Sequence, residues 1–338
     1  MSQNSIHDPG DTLPGDYHET RLDVAAALSL LREVWPSNYG KTGCIDFTPD
    51  LLGWLYGGPD APRHILRAIR HDDGRVVGCS ALLYRALSIG SRRVAGYIST
   101  HLTVRPELED GTRRQIVRVL TRPLPLLSDE NAVILAWHET GKRVIEAARR
   151  GAARYGVSLA TRSLRQAVIN PRRLSMAESA GGETTIRPAT RQDMAEILRL
   201  ADRRAGAIVW RPSADMLFHH LSAAPSAFFR VAERDGAIVG SIGCYNLGWQ
   251  RGDAVTAMTI CEYLDAADPP TANALMREAM SVAKASGTRG IVIENSDSVA
   301  PEIAKGCGIL PAPRGMELMI RSAGALSLGG AAVMCDVK

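Results

Sequence analysis

Apolar positions recur at two spacings along the chain, and the switches between them predict its elements. Val24, Leu28, Leu31 and Val34 repeat at helical spacing, so Leu22–Val34 reads as an amphipathic helix. Trp35-Pro36 should end it, because the residue before a proline avoids the α region. A short helix, Leu51–Tyr56, follows a cap at Thr48 or Asp50. The period then falls to two. His64–Arg70 and Val76–Leu87 read as strands joined by the turn His71-Asp72-Asp73-Gly74, and Val94–Val104 as the next strand. Arg105–Thr112 reads as a loop and Arg113–Leu120 as a helix that stops before Pro123. Ala132–Trp137 is an apolar strand, Gly141–Tyr155 a helix closed by Gly156, and Val157–Ile169 returns to strand.

Residues 170–183 are polar, contain Gly-Gly and read as a linker. The same order then returns. Thr185–Arg187 is a strand, Ala189–Asp202 carries a helix, and Ala214–Leu221 carries another. Strands Phe228–Arg234, Ala237–Asn246 and Ala254–Leu264 form a meander around Asp235-Gly236. Helix Thr271–Ala285, strand Gly290–Glu294, helix Val299–Cys307, strand Glu317–Arg321 and a closing stretch Ser327–Lys338 complete it. The stretch 233–245, ERDGAIVGSIGCY, parallels 70–84, RHDDGRVVGCSALLY, in its turn and its Val-Gly pair. The pattern predicts an α+β fold with an internal repeat: a flexible 1–17, one domain at 18–169, the linker, and a second domain at 184–338.

Composition narrows this little. A net charge of +4 on 338 residues does not call for nucleic acid. The six cysteines show no CxxC or Cys/His spacing and read as reduced residues of a cytoplasmic protein, with no metal site. No apolar run approaches the ~18 residues of a membrane span, so no membrane is expected. There is no nucleophile elbow and no GxGxxG, which argues against covalent catalysis and dinucleotide binding.

The chemistry concentrates in Val94–Leu120. Strand alternation puts Tyr97, Ser99, His101 and Thr103 on one face and Ile98, Thr100, Leu102 and Val104 on the other. A loop leading into a helix N-terminus then offers backbone N–H groups to an anion. Histidine is the natural base near neutral pH, which makes His101 a candidate, and His138 and Glu139 end the next apolar strand. Val104, Pro106 and Gly111 make this stretch resemble the core motif of the GNAT (Gcn5-related) acyltransferases: a strand ending Val-x-Pro, then a glycine-containing loop, then a helix. Leu108 and Arg113 depart from that motif, standing where an Arg or Gln and a small residue are usual.

The resemblance implies two tandem GNAT-like domains, each a mixed, mostly antiparallel sheet flanked by helices. It implies an acyl-CoA co-substrate, with acetyl-CoA the first choice, held at Leu102, Val104, Leu108, Gly111, Thr112, Arg113 and Arg114. His101, Glu139 and Tyr97 would be catalytic, and Ser99, His138 and Glu262 would contact a small-molecule amine. Transfer would be direct. The tyrosine such enzymes often carry to protonate the leaving thiolate is replaced by Ala152, and by Ala304 in the second half. The second half has LDAADPP at 264–270 in place of a glycine loop, and acids and prolines there disfavour phosphate. Two alternatives stay open. Fem-type transferases, which use aminoacyl-tRNA, also look like two GNAT domains with eroded loops, and Arg149, Arg150, Arg154, Arg162 and Arg165 form a basic concentration. A non-catalytic GNAT-like binding protein is the other. Homodimerisation is left open.

Overall fold

The computed structural model describes residues 12–39, 42–139, 143–169, 184–201, 208–288, 290–293, 309–324 and 333–334. The expected linker 170–183, the expected helix Val299–Cys307 and most of the closing stretch lie outside the described residues.

In chain order the strands are β1 (Tyr17–Arg21), β2 (Cys44–Asp46), β3 (Ile65–His71), β4 (Val76–Ile89), β5 (Arg92–Val104), β6 (Val133–Glu139), β7 (Ser158–Ile169) and β8 (Thr185–Pro188). They continue with β9 (Ile208–Trp210), β10 (Phe228–Arg234), β11 (Ala237–Arg251), β12 (Ala254–Ala266), β13 (Ile291–Ile293), β14 (Ile309–Ser322) and β15 (Val333–Met334). The helices are α1 (Val24–Tyr39), α2 (Pro49–Tyr56), α3 (Asp110–Leu120), α4 (Leu124–Ser128), α5 (Arg143–Arg154), α6 (Met194–Ala201), α7 (Ala214–Ser222) and α8 (Pro269–Ala285).

The two halves repeat one element order, and their sheets join into one. The strand order is β1-β3-β4-β5-β6-β14-β7-β13-β12-β11-β10-β8. Read from either end it gives the same sequence of equivalent strands, so the repeat is a pseudo-twofold whose axis lies between β14 and β7. Each half lends the other a strand. β14 of the second half pairs antiparallel with β6, Leu318 opposite Trp137. β7 of the first half pairs antiparallel with β13, Val292 opposite Val168. The short strands repeat the exchange. β2 pairs with β11, Trp249 opposite Ile45, and β9 pairs with β4, Ser88 opposite Val209. β15 adds to β9 in parallel.

The helices sort onto two faces. α1, α2, α6 and α7 share one core with both halves of the sheet, including Leu30, Leu52, Leu83, Ile197, Leu217 and Ile260. On the opposite face α3 covers Ile69 and Val77 through Ile116 and Leu120, while α8 covers Ile242 and Ile291 through Leu275 and Ala279.

The structure corrects several sequence readings. α1 runs through Pro36 to Tyr39. Proline interrupts one backbone hydrogen bond there, but the last turn is held by Trp35, which packs on Phe47 and donates from Nε1 to Thr103 Oγ1 at 2.8 Å. Tyr17 is not in a loose tail, since β1 pairs with β3 and places it opposite His71. α3 begins at Asp110, so Gly111 and Thr112 sit in its first turn and not in the preceding loop. The expected cap of α2 is Thr48, whose Oγ1 accepts from Leu51 N at 3.1 Å. No helix among the described residues is long and apolar enough to cross a membrane.

Candidate active site

The site is built by two strands that part. β5 and β6 pair in parallel at Gly96–Val133, Tyr97–Ile134 and Ile98–Leu135, and pairing then stops although both strands run on. β6 keeps its other edge on β14 as far as Glu139–Met316. A wedge therefore opens between Ser99–Val104 and Ala136–Glu139, and α3 begins six residues past the end of β5.

On the wedge side β5 carries a bulge. Its register with β4 moves from Ala81–Thr100 to Cys79–Thr103, so His101 and Leu102 together face Ser80. His101 has φ +56°, the left-handed conformation of the first residue in one class of bulge, where glycine is usual. A bulge leaves its extra residue out of the ladder and re-aims the side chains beyond it. This overturns the face assignment read from strict alternation. His101 and Thr103 turn to the α1/α2 side, against Trp35, Phe47 and Tyr56. Tyr97 faces the opposite side, with Leu82 and Ile134 around it and an edge contact to Tyr84 at 5.6 Å. Ser99 follows Tyr97 at the root of the wedge. Ile98 faces the α1/α2 core and Val104 the α3 core.

His101 is buried, and burial pushes its imidazole down to about 3. Its Nδ1 shares a 2.7 Å hydrogen bond with the Tyr56 hydroxyl, which burial pushes well above the usual phenol range. His101 O accepts from the Cys79 thiol at 3.3 Å. The histidine is thus neutral at physiological pH and poorly suited to store a proton, because an efficient base titrates near the working pH. Tyr97 is half-buried, and burial raises its phenol. His138 is half-buried on β6, opposite Glu317. Glu139 ends β6, and its side chain lies outside the described residues.

The loop between β5 and α3 is pinned by Arg105, which the sequence reading passed over. Its Nε donates to Val76 O at 2.8 Å and its Nη2 to Glu33 Oε2 at 2.7 Å. Leu108 anchors the same loop by packing on the α3 core, as Val104 does. Leu102 is an exposed apolar side chain. At the start of α3 Glu109 makes no capping hydrogen bond. Arg113 folds back, donating to Pro106 O at 3.1 Å and pairing with the Asp110 carboxylate, with Arg114 3.9 Å away on its other oxygen. The acid at the helix end is thereby neutralised. A Cβ at Gly111 would meet only Glu109 Oε1, at 3.8 Å. The first turn of α3 therefore offers uncapped N–H groups beside two guanidinium groups, an arrangement that suits an anionic ligand.

The second half differs at the equivalent helix start, where its anion end is closed. β12 and β13 pair in parallel up to Cys261–Ile293, and Glu294 lies outside the described residues. α8 opens on Pro269 and Pro270, which carry no N–H, and Asp268 Oδ1 accepts from Thr271 N at 2.8 Å. Arg234 ties the other Asp268 oxygen at 2.9 Å. β12 also has a bulge, since the register passes from Cys244–Cys261 directly to Gly243–Tyr263. The extra residue is Glu262, close to the place His101 holds in the first half. It is buried, with Oε1 2.8 Å from His220 Nε2 on α7. Of the basic concentration, Arg149 and Arg150 are exposed on α5 and Arg162 is half-buried on β7, while the Arg165 side chain lies outside the described residues.

Neither bulge was legible from side-chain pattern, because a bulge is a property of strand register. The partners Tyr56 and His220 come from distant helices. The one local signal was the aromatic pair Trp54 and Tyr56 on a short helix.

The sequence matches no protein-family model and no curated protein. The fold does have likenesses among solved structures. N-myristoyltransferase of Saccharomyces cerevisiae with bound myristoyl-CoA aligns with TM-score 0.68 at 14% identity, over 94% of this chain and 85% of that one. A GCN5-related glucosamine N-acetyltransferase region of a fungal multi-domain β-N-acetylglucosaminidase aligns with TM-score 0.58 at 11% identity, over 91% of this chain and 38% of that one. A GCN5-related N-acetyltransferase from Sphaerobacter thermophilus aligns with TM-score 0.53 at 14% identity, over 97% of this chain and all of that one. At these identities the likeness concerns the fold alone, which this chain shares with N-myristoyltransferase and with GCN5-related N-acetyltransferases.

Proposed function

We propose that the chain is an acyl-CoA-dependent N-acyltransferase with one donor site, at the β5–β6 wedge, and that it moves an acyl group, acetyl in the first instance, to a small amine. The observation that carries this reading is the juxtaposition of three features on one strand: the parted β5–β6 pair, the bulge at His101 and the uncapped start of α3. The wedge would take the pantetheine arm. The N–H groups of Gly111 and Thr112, with Arg113 and Arg114, would hold the pyrophosphate. Leu102 would line the arm, while Val104 and Leu108 shape the loop from its core side.

In this reading the amine attacks the thioester carbonyl, the C–N bond forms, the C–S bond breaks, CoA leaves as the thiolate, and the proton shed by the nitrogen passes to water or to that thiolate. A thiolate has a proton affinity not far above neutral, so loss of the usual tyrosine at Ala152 is tolerable. Backbone left out of the ladder at the bulge would polarise the carbonyl. His101, held neutral and fixed by Tyr56, would receive a hydrogen bond from the incoming amine and position it, with no lasting protonation. Ser99 and Tyr97 at the root of the wedge, and His138 and Glu139 across it, would contact the reacting groups. A cytoplasmic setting accords with Cys44, Cys79, Cys244 and Cys261, which among the described residues are free and buried.

A second acceptor class, the amino end of a polypeptide, is favoured by the extent of the likeness to N-myristoyltransferase, which spans 94% of this chain. The donor site is tested by calorimetric titration with acetyl-CoA. Gly111→Val should weaken binding more than tenfold, about 1.4 kcal/mol or more, while thermal unfolding stays within a few degrees, because the added side chain meets open space. Unchanged affinity would refute the cradle.

A further inference from the structure

The bulge of the second half carries an acid that the fold leaves short of donors. Glu262 is 5% exposed, and neither carboxylate oxygen has a hydrogen bond of good geometry from the described residues. His220 Nε2 comes within 2.8 Å of Oε1, but on Oε2 nothing donates. A carboxylate removed from water needs a cation or several donors to stay ionised. Around this pair stand indole rings. Trp54 of α2 lies with its centroid 5.0 Å from the His220 ring and 4.9 Å from Tyr245. Trp210 of β9 lies 5.0 Å from His220 on another side. A buried acid whose histidine neighbour is flanked by two indoles has the chemistry that recognises an alkylammonium group: the ammonium brings three N–H donors to the carboxylate and a cation to the aromatic cluster beside it.

We infer that Glu262 anchors an alkylammonium site in the second half, walled by Trp54, Trp210 and His220, which holds the cationic head of the acceptor. The link to an acceptor rests on the acyltransfer reading above; the ammonium site itself does not. Two features tie it to the donor wedge. Glu262 and His101 sit at bulges in equivalent strands, and both face the common core under α2 and α7. α2 touches both, since Tyr56 bonds His101 and Trp54 packs on His220. One short helix thus spans the reacting end of the wedge and the ammonium site. This favours an acceptor with a second, non-reacting ammonium group over a simple monoamine.

The test is a tryptophan-fluorescence titration of the full chain without acyl-CoA, using n-butylammonium and its neutral counterpart n-butanol. Saturable quenching by n-butylammonium, at least tenfold stronger than by n-butanol, is expected, and Glu262→Gln should lose it at least tenfold. Equal responses to the two probes, no saturation, or an unchanged Glu262→Gln titration would overturn the site. Should Glu262→Gln fail to fold, the pair of probes on the unaltered chain still decides. Acetyl-CoA is absent throughout, so failure here is separate from failure of the donor site, which calorimetry reads on its own.

Discussion

The starts of α3 and α8 occupy equivalent places in the pseudo-twofold, and they have opposite characters. Each follows a long strand that has a parallel neighbour. At α3 there is no side-chain cap, a glycine stands at the second position, and two arginines neutralise Asp110. At α8 two prolines remove donors, Asp268 fills the remaining N–H, and Arg234 locks that acid in place. Asp268 is held below the usual carboxylate range by its hydrogen bonds to Thr271 and Arg234, against the upward push of its burial. The cores beneath the two helices are both well packed. Equivalent packing can therefore be kept in both halves while a few residues at one helix end decide whether its N–H groups are left uncapped or filled.

The strongest way to break the comparison is to separate the halves. Each lacks a central strand that the other lends, so a chain ending at Ile169 should show no cooperative unfolding by circular dichroism. A cooperative transition in that fragment would mean that the exchange of β7 and β14 is not needed for folding. Next in size is the response of the β5 bulge to acid. His101 and His64 are pushed by burial to about 3 and about 4, both below the unfolded value of ~6.5. The unfolded chain therefore takes up protons first as pH falls. Stability from these groups is full above ~6.5 and is lost progressively down to the folded values, by up to about 1.4 kcal/mol per pH unit for each. His101→Gln should flatten the loss by one proton's worth between pH 6 and 4 in denaturant titrations; an identical slope would show that His101 is not held neutral. The smallest effect concerns α8. Asp268→Ala should cost about 1 kcal/mol as a lost cap and leave acetyl-CoA affinity unchanged; a change in affinity would place donor chemistry in the second half.

Most of the element order was legible in the sequence, because periods of two and 3.6 survive wherever a face is buried. The hairpin at Gly74, the cap at Thr48 and the parallel between residues 70–84 and 233–245 all correspond to observed structure. What escaped was long-range. β2 and β9 are three residues each and gain their meaning from the other half of the chain. The run of α1 through Pro36 depends on a tryptophan bonded to a strand 68 residues away. The site was half legible. Its loop and helix could be found from Val104, Pro106 and Gly111, but one extra residue in β5 moved His101 to the opposite face from Tyr97 and Ser99.

The central claim is that one helix end of the two receives the donor. The direct measurement is hydrogen exchange of the intact protein with and without acetyl-CoA, alongside the calorimetric stoichiometry. The account predicts one molecule bound per chain, with protection gained across Asp110–Arg114 and none at Pro270–Ala272. Two molecules per chain, or protection that appears at the start of α8, would contradict it.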